Sequence, residues 1–276
     1  MKKAGLVSII GLPNAGKSTL LNSIVNREIS IATYKPNTTE EVIYGVKTKP
    51  DYQITFLDTP GIITPHNIKQ KEMLVKIKEA MSISDVIVWL VDISADYKET
   101  QIVKTILNYF PSKTILALNK IDLIKTTEEM NSKVEIFKNI AQAIKTKILI
   151  SAKSNIYLPI LENAIVKMLP EQDFLFSEDT ITNKDSKFIA AEIIRKYIFL
   201  NFRKEVPYHV SVKIEVFKVR KGILHIHAVI TVDKQSQKAI LIGKKGEALK
   251  QIGTKAREEM ERFFKKHIFL KQYVKV

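Results

Sequence analysis

The run Gly11, Leu12, Pro13, Asn14, Ala15, Gly16, Lys17, Ser18 constrains this chain more than any other stretch. A G-x-x-x-x-G-K-S sequence works only as the turn between a strand and a helix. An apolar segment, 5–10, leads into it, and a helical pattern, 17–25, leads out. Gly11 and Gly16 permit backbone angles that a side chain would obstruct. The loop's N–H groups can then converge on an anion, aided by the positive end of the helix. Lys17 is placed to reach the β- and γ-phosphates of a nucleotide, and the Ser18 hydroxyl to ligate Mg²⁺. A bare Gly-containing turn with a solvated lysine is the competing reading, and the strand–loop–helix context weighs against it.

Three later segments complete a nucleotide-binding series. Asp58, Thr59, Pro60 and Gly61 follow an apolar run, 53–57. An acid at that strand end is placed to hold Mg²⁺ through water, and Gly61 to bring its N–H to the γ-phosphate. Between the two motifs lie Thr38 and Thr39 in a polar stretch. One of them, Thr39 by preference, is expected to ligate Mg²⁺ only with the γ-phosphate present, making the segment a switch. Asn119, Lys120 and Asp122 follow the strand 114–118. The Asp122 carboxylate can accept from guanine N1–H and the exocyclic amine together, a donor pair that adenine lacks there. Lys120 can lay its aliphatic stem over the ring, while Asn119 can bond the base or tie loops together. Ser151, Ala152 and Lys153 end a further strand, 147–150, with the Ala152 N–H expected at guanine O6. The expected ligands are therefore GTP or GDP with Mg²⁺.

This ordered set resembles the translation-factor-related small GTPases, and the Pro13-Asn14 pair resembles the branch of Era and related ribosome-assembly GTPases. The resemblance implies an α/β P-loop domain with a mixed six-stranded sheet and helices on both faces. Alternating strand and helix patterns from residue 5 to about 170 agree with it. Lys17, Asp58 and Gly61 are the expected catalytic positions. Ile62 stands where Ras-like enzymes carry a water-orienting glutamine. Isoleucine cannot orient water, so slow hydrolysis or an outside contribution is expected, as in other GTPases with a hydrophobic residue there.

The second half is more basic than the first. Residues 1–170 hold 22 Lys+Arg against 16 Asp+Glu, and residues 171–276 hold 22 against 13, within a formal net charge of +15. That excess invites a nucleic-acid partner. A domain is expected over 1–170, a polar linker over 171–185, and a second domain over 186–276. The patterns after 186 run helix, two strands, two helices, strand (αββααβ), with Ile242, Gly243, Lys244, Lys245 and Gly246 between the second and third helices. This order and its G-x-x-G loop resemble an α+β type II KH domain. The two glycines let a nucleic-acid backbone lie close, and Lys244 and Lys245 face phosphates. Beside the loop, Ile240 and Ile242 can support about four unpaired nucleotides.

The full-length resemblance implies binding to the 3′ end of 16S rRNA and a role in 30S subunit assembly. It implies a cytoplasmic monomer and leaves open a peripheral contact with the cytoplasmic face of the inner membrane. The chain has no cysteine, which excludes disulfides and thiolate metal sites. His225 and His227 share a strand face but lack further ligand spacing, and are read as surface or core residues. Two other functions compete: a small-molecule kinase, opposed by Asp122 and the KH pattern, and an RNA-binding scaffold with an inactive nucleotide half, opposed by Lys17, Ser18, Asp58 and Asp122.

Overall fold

The computed structural model describes residues 2–30, 43–62, 68–96, 100–202 and 205–276. The chain forms two compact units, Met1–Asn183 and Lys184–Val276. Thr38 and Thr39 lie outside the described residues.

Unit 1 is a six-stranded sheet in the order β2-β3-β1-β4-β5-β6. Its strands are β1 (Lys3–Ile10), β2 (Ile43–Lys49), β3 (Tyr52–Asp58), β4 (Val86–Asp92), β5 (Thr114–Asn119) and β6 (Thr146–Leu149). β2 runs antiparallel to β3; the other pairings are parallel. β4 reads Val-Ile-Val-Trp-Leu-Val-Asp and is apolar on both faces, as a central parallel strand must be. The helices are α1 (Lys17–Val25), α2 (Ile68–Ile83), α3 (Gln101–Tyr109), α4 (Thr127–Ile140) and α5 (Leu158–Met168). One face of the sheet buries Ile10, Trp89 and Leu116 with Ile77 of α2, Ile106 of α3 and Phe137 of α4. Parallel register brings the carboxyl ends of β1, β3, β4 and β5 to one edge. Ile9 is level with Asp58, and Asp92 with Asn119.

Residues 171–183, within the segment expected to be a linker, run along this unit. Gln53 is fully buried in β3 and needs partners for its amide. Its Nε2 donates to Phe176 O at 2.9 Å, and Phe176 N donates back to Oε1 at 2.9 Å. Further on, Val46 N donates to Ile181 O at 2.8 Å, which covers part of the outer edge of β2.

Unit 2 is a three-stranded sheet, β7-β8-β9, with α6 (Ser186–Asn201), α7 (Gln235–Ile242) and α8 (Glu247–Phe264) packed on it. Its strands are β7 (Val210–Arg220), β8 (Ile223–Val232) and β9 (Ile268–Lys275), with β8 antiparallel to β7 and parallel to β9. The element order is the expected αββααβ. Helix α6 buries Ile194 and Ile198, while Phe188 and Ala191 are half-buried. Ile189, Ala190, Ile193 and Phe199 are buried with them, because this helix is apolar over most of its circumference and its phase is set by packing. Across from it, Glu259 of α8 is buried and accepts from Lys196 Nζ at 2.9 Å and Tyr197 OH at 2.8 Å.

Candidate nucleotide site and nucleic-acid loop

The phosphate-loop sequence forms the β1–α1 turn. Gly16 caps α1 at φ 99°, and Asn14 is left-handed at φ 64°. A Cβ on Gly16 would lie 2.5 Å from Asn119 Nδ2, and one on Gly11 would collide with the Leu90 carbonyl oxygen. Close approach, as well as φ, therefore requires glycine. Lys17 is buried, and its Nζ donates to Gly11 O at 3.1 Å and Leu12 O at 2.9 Å. Burial lowers its pKa to about 8, and the Asp58 carboxylate partly offsets that shift.

Ser18 Oγ donates to Asp58 Oδ2 at 2.8 Å, and Ser30 Oγ donates to the same oxygen at 2.7 Å. Ser30 carries no motif and was not read from the sequence. It is placed by Asn22, whose Oδ1 accepts from Ile29 N at 3.0 Å and Ser30 N at 3.1 Å. The result is a hydroxyl–carboxylate pair beside the loop, a hard-oxygen donor set of the kind that suits Mg²⁺. Thr59 Oγ1 donates to Ile9 O at 2.8 Å, locking the end of β3 to β1. Pro60 is buried, and a Cβ on Gly61 would lie 2.9 Å from Pro13 Cγ, so the two loops touch. Ile62 N donates to Gly11 O at 3.0 Å, while the Ile62 side chain is buried in the core with Ile10, Ile77 and Trp89.

Asn119 is the hub of the base end. It is buried, donates from Nδ2 to Ala15 O at 2.7 Å, and accepts at Oδ1 from Ala152 N at 2.9 Å. Of the two roles open to Asn119, the structure displays the loop tie. The Ala152 N–H, expected to point at a base, donates to Asn119 instead, because the buried amide oxygen requires a donor. Lys120 is left-handed at φ 68°, and its Nζ lies 2.7 Å from Asp92 Oδ2. Asp92 Oδ1 accepts in turn from Ser94 N at 3.0 Å and Ser94 Oγ at 2.6 Å. Sequence reading missed Asp92. Its signal was a polar residue closing an apolar strand, as Asp58 and Asn119 do. Asp122 sits in a single 3₁₀ turn, Ile121–Leu123, with its carboxylate exposed. Ser151 is buried and its Oγ accepts from Ser154 N at 3.1 Å, while Lys153 is exposed.

In unit 2, α7 ends at Ile242 and α8 begins at Glu247. Gly243 has φ 73° and ψ 178°, a region essentially restricted to glycine. Gly246 has φ 81°. Lys244 and Lys245 are exposed, Ile242 is half-buried and Ile240 is exposed. The loop is therefore a tight connection that presents two ammonium groups.

A P-loop α/β domain of the small-GTPase class, followed by a KH domain, is what this fold and these sites define. Residues 6–120 match the family described as 50S ribosome-binding GTPase, and residues 205–276 match the KH domain family. GTPase Era of Pseudomonas fluorescens (strain Pf0-1) is 39% identical over 279 residues, spanning 99% of this chain and 91% of that protein. The crystal structure of Era in complex with MgGDPNP and nucleotides 1506–1542 of 16S ribosomal RNA superposes with a TM-score of 0.94 at 35% identity, covering 100% of this chain and 94% of the other. A tyrosine-to-alanine variant of Aquifex aeolicus Era bound to GDP·AlF4⁻ gives 0.92 at 35% identity, covering 99% and 94%. This chain belongs to the Era family of GTPases.

Proposed function

We propose that this chain binds and slowly hydrolyses GTP, and that the nucleotide governs how its KH unit holds the 3′ end of 16S rRNA during 30S subunit assembly. One observation supports the nucleotide half above the rest. Asn119 ties the phosphate loop, through Ala15, to the Ser151–Lys153 loop, through Ala152, beside Asp122. Both ends of a nucleotide are thereby served from one edge of the sheet, where ligands of open α/β sheets bind.

In this reading Lys17 leaves the carbonyls of Gly11 and Leu12 for the β- and γ-phosphates, an exchange of neutral acceptors for charged ones. The backbone of residues 11–16 supplies further donors. Ser18 and one of Thr38 and Thr39, by preference Thr39, hold Mg²⁺, with Asp58 behind them. Mg²⁺ supplies charge neutralisation between the phosphates. Pro60 and Thr59 fix Gly61 so that its N–H faces the γ-phosphate. Asp122 reads the guanine edge, Lys120 covers the ring, and Ser151 to Lys153 wall it. Ile62 supplies no water-orienting group, so catalysis rests on positioning and charge.

For the RNA half, Ile242 to Gly246 contact the backbone of unpaired nucleotides. The protein acts as a monomer in the cytoplasm. No described helix is long and apolar enough to cross a membrane. A peripheral contact with the cytoplasmic face of the inner membrane rests on basic charge alone.

The test is Asp122→Asn. An amide NH₂ in place of one carboxylate oxygen can donate to the C2 carbonyl of xanthine, where guanine carries an amine that needs an acceptor. Competition between fluorescent GDP and XDP should show preference moving from guanine to xanthine by more than about tenfold. Undiminished guanine selectivity would refute the base assignment.

A further inference from the structure

The sheet of unit 2 has two unlike faces. Toward the helices it buries Leu224, Ile226 and Ala228 of β8 and Ile268 of β9. Side chains alternate along a strand, so the outward set is different. On β9 it is Phe269, Lys271, Tyr273 and Lys275, all exposed. His225 and His227 stand level with Phe269 and Lys271 on the neighbouring strand, and Lys213 and Lys218 extend the face on β7. No described element of unit 2 covers it.

The chemistry of this face is specific. Phe269 is 49% exposed and Tyr273 41%. Two rings at positions i and i+4 of one strand stand about 13 Å apart, with Lys271 between them. The Lys271 Nζ lies 5.0 Å from the Tyr273 ring centroid, and the His225 ring lies 5.2 Å from that of Phe269. Across the three strands there are 5 Lys or Arg residues and 1 carboxylate, Glu215, which lies 3.9 Å from Lys275 Nζ. Rings on a flat sheet, interleaved with cations, form a stacking platform with an electrostatic track. An anionic bilayer would use the same cations but favours a continuous apolar surface that can sink below the headgroups. Here lysines interrupt the rings along the strand.

We propose that the outward face of the β7-β8-β9 sheet is a second surface for single-stranded RNA, with bases stacked on Phe269 and Tyr273 and phosphates neutralised by Lys213, Lys271 and Lys275. It rests on the RNA-binding reading of unit 2 for the kind of polymer. It does not use the Gly243–Gly246 loop, which belongs to the helical layer on the other side of the sheet. An RNA long enough to leave the loop groove would be held by both.

The test measures binding of two RNAs to the full chain by fluorescence anisotropy. One is a single strand of about four nucleotides, matched to the loop groove. The other, from the 3′ end of 16S rRNA, has about twelve nucleotides, enough to occupy both surfaces. Phe269→Ala and Tyr273→Ala should each weaken the longer RNA about fivefold or more and leave the short one unchanged. Phe269→Tyr and Tyr273→Phe keep a ring and should retain wild-type affinity. Lys271→Gln should reduce the slope of log affinity against log salt by about 0.7. Gly243→Asp serves as the separate probe of the loop. If Gly243→Asp weakens both RNAs and the alanine variants weaken neither, the sheet-face proposal is wrong and the loop assignment stands. If the alanine variants weaken the long RNA and Gly243→Asp affects nothing, the reverse holds. Loss of binding to phosphatidylglycerol vesicles by the alanine variants, with RNA affinity intact, would assign the face to a membrane and overturn the proposal.

Discussion

Asn119 and Ala15 are joined by a 2.7 Å hydrogen bond from Nδ2 to the carbonyl oxygen, across 104 positions of sequence. The same amide accepts from Ala152 N at 2.9 Å, so one buried side chain fixes the phosphate loop and the Ser151–Lys153 loop together. The tight fit shows at Gly16, where a Cβ would lie 2.5 Å from the Asn119 amide nitrogen. The hub thus couples the two ends of the nucleotide site before any ligand is considered.

Asn119→Ala should uncouple them. It leaves a buried carbonyl and a buried N–H without their partner, a loss of about 2–4 kcal/mol in stability. Guanine-nucleotide affinity should fall about tenfold or more, within the usual range for coupled sites. Urea denaturation and calorimetric titration with GDP check the two effects. Unchanged affinity in a destabilised protein would reduce Asn119 to a packing residue.

Lys17 predicts a pH dependence for the nucleotide-free protein. Its ordinary value is 10.5, and in the folded chain burial lowers it to about 8. Between those values the unfolded chain binds more protons than the folded one, so stability rises as pH climbs through that window. Below about pH 8 both states are protonated, and the folded state bears the full cost of a buried cation. Lys113 is lowered by burial too and acts in the same direction, so the informative quantity is the difference from Lys17→Met. Urea midpoints of the wild type should rise relative to that variant from pH 8 toward 10.5. Saturating GDP should blunt the rise, because phosphate charge favours the ammonium form.

The phosphate loop, Asp58, Asn119 and the Gly243–Gly246 loop were legible because each is a local pattern: the first three sit at strand ends, and the last joins two helices. What sequence did not disclose is non-local. Ser30 meets Asp58 because Asn22 holds the loop after α1, and Asp92 meets Lys120 because parallel register brings the ends of β4 and β5 together. The polar composition of 171–183 carries no sign that Phe176 satisfies the buried amide of Gln53. The phase of α6 is non-local too, because a helix apolar over most of its circumference has no preferred face until its partner is known. Glu259, an acid on an otherwise apolar face of α8, is explained only by Lys196 and Tyr197 of α6.

The two loop glycines of unit 2 should differ in what they tolerate. A Cβ on Gly243 would lie 2.7 Å from the Ala248 Cβ, at a φ of 73° and ψ of 178° that other residues avoid. A Cβ on Gly246 meets nothing within 4 Å, and its φ of 81° is the main obstacle. Gly246→Ala should therefore cost about 1 kcal/mol. Gly243→Ala adds a clash with α8 to the backbone strain and should cost about 2–4 kcal/mol. Thermal unfolding of the two variants should give the lower midpoint for Gly243→Ala. Equal midpoints would mean that α8 moves away freely.

Ile62 invites the replacement that would restore a water-orienting glutamine. The structure argues that this replacement fails. The Ile62 side chain is 2% exposed and packs with Ile10, Ile77 and Trp89, while its N–H is held by Gly11 O at 3.0 Å. Glutamine here would exchange apolar burial for a buried amide with apolar neighbours, at a cost of about 2–4 kcal/mol. To reach a nucleophilic water, the residue would have to leave the core and break its bond to the phosphate loop. Ile62→Gln should therefore lower the unfolding midpoint without raising the single-turnover rate of GTP hydrolysis. A faster rate in a stable variant would show that this position turns outward when GTP is bound, and that the absent glutamine limits the rate.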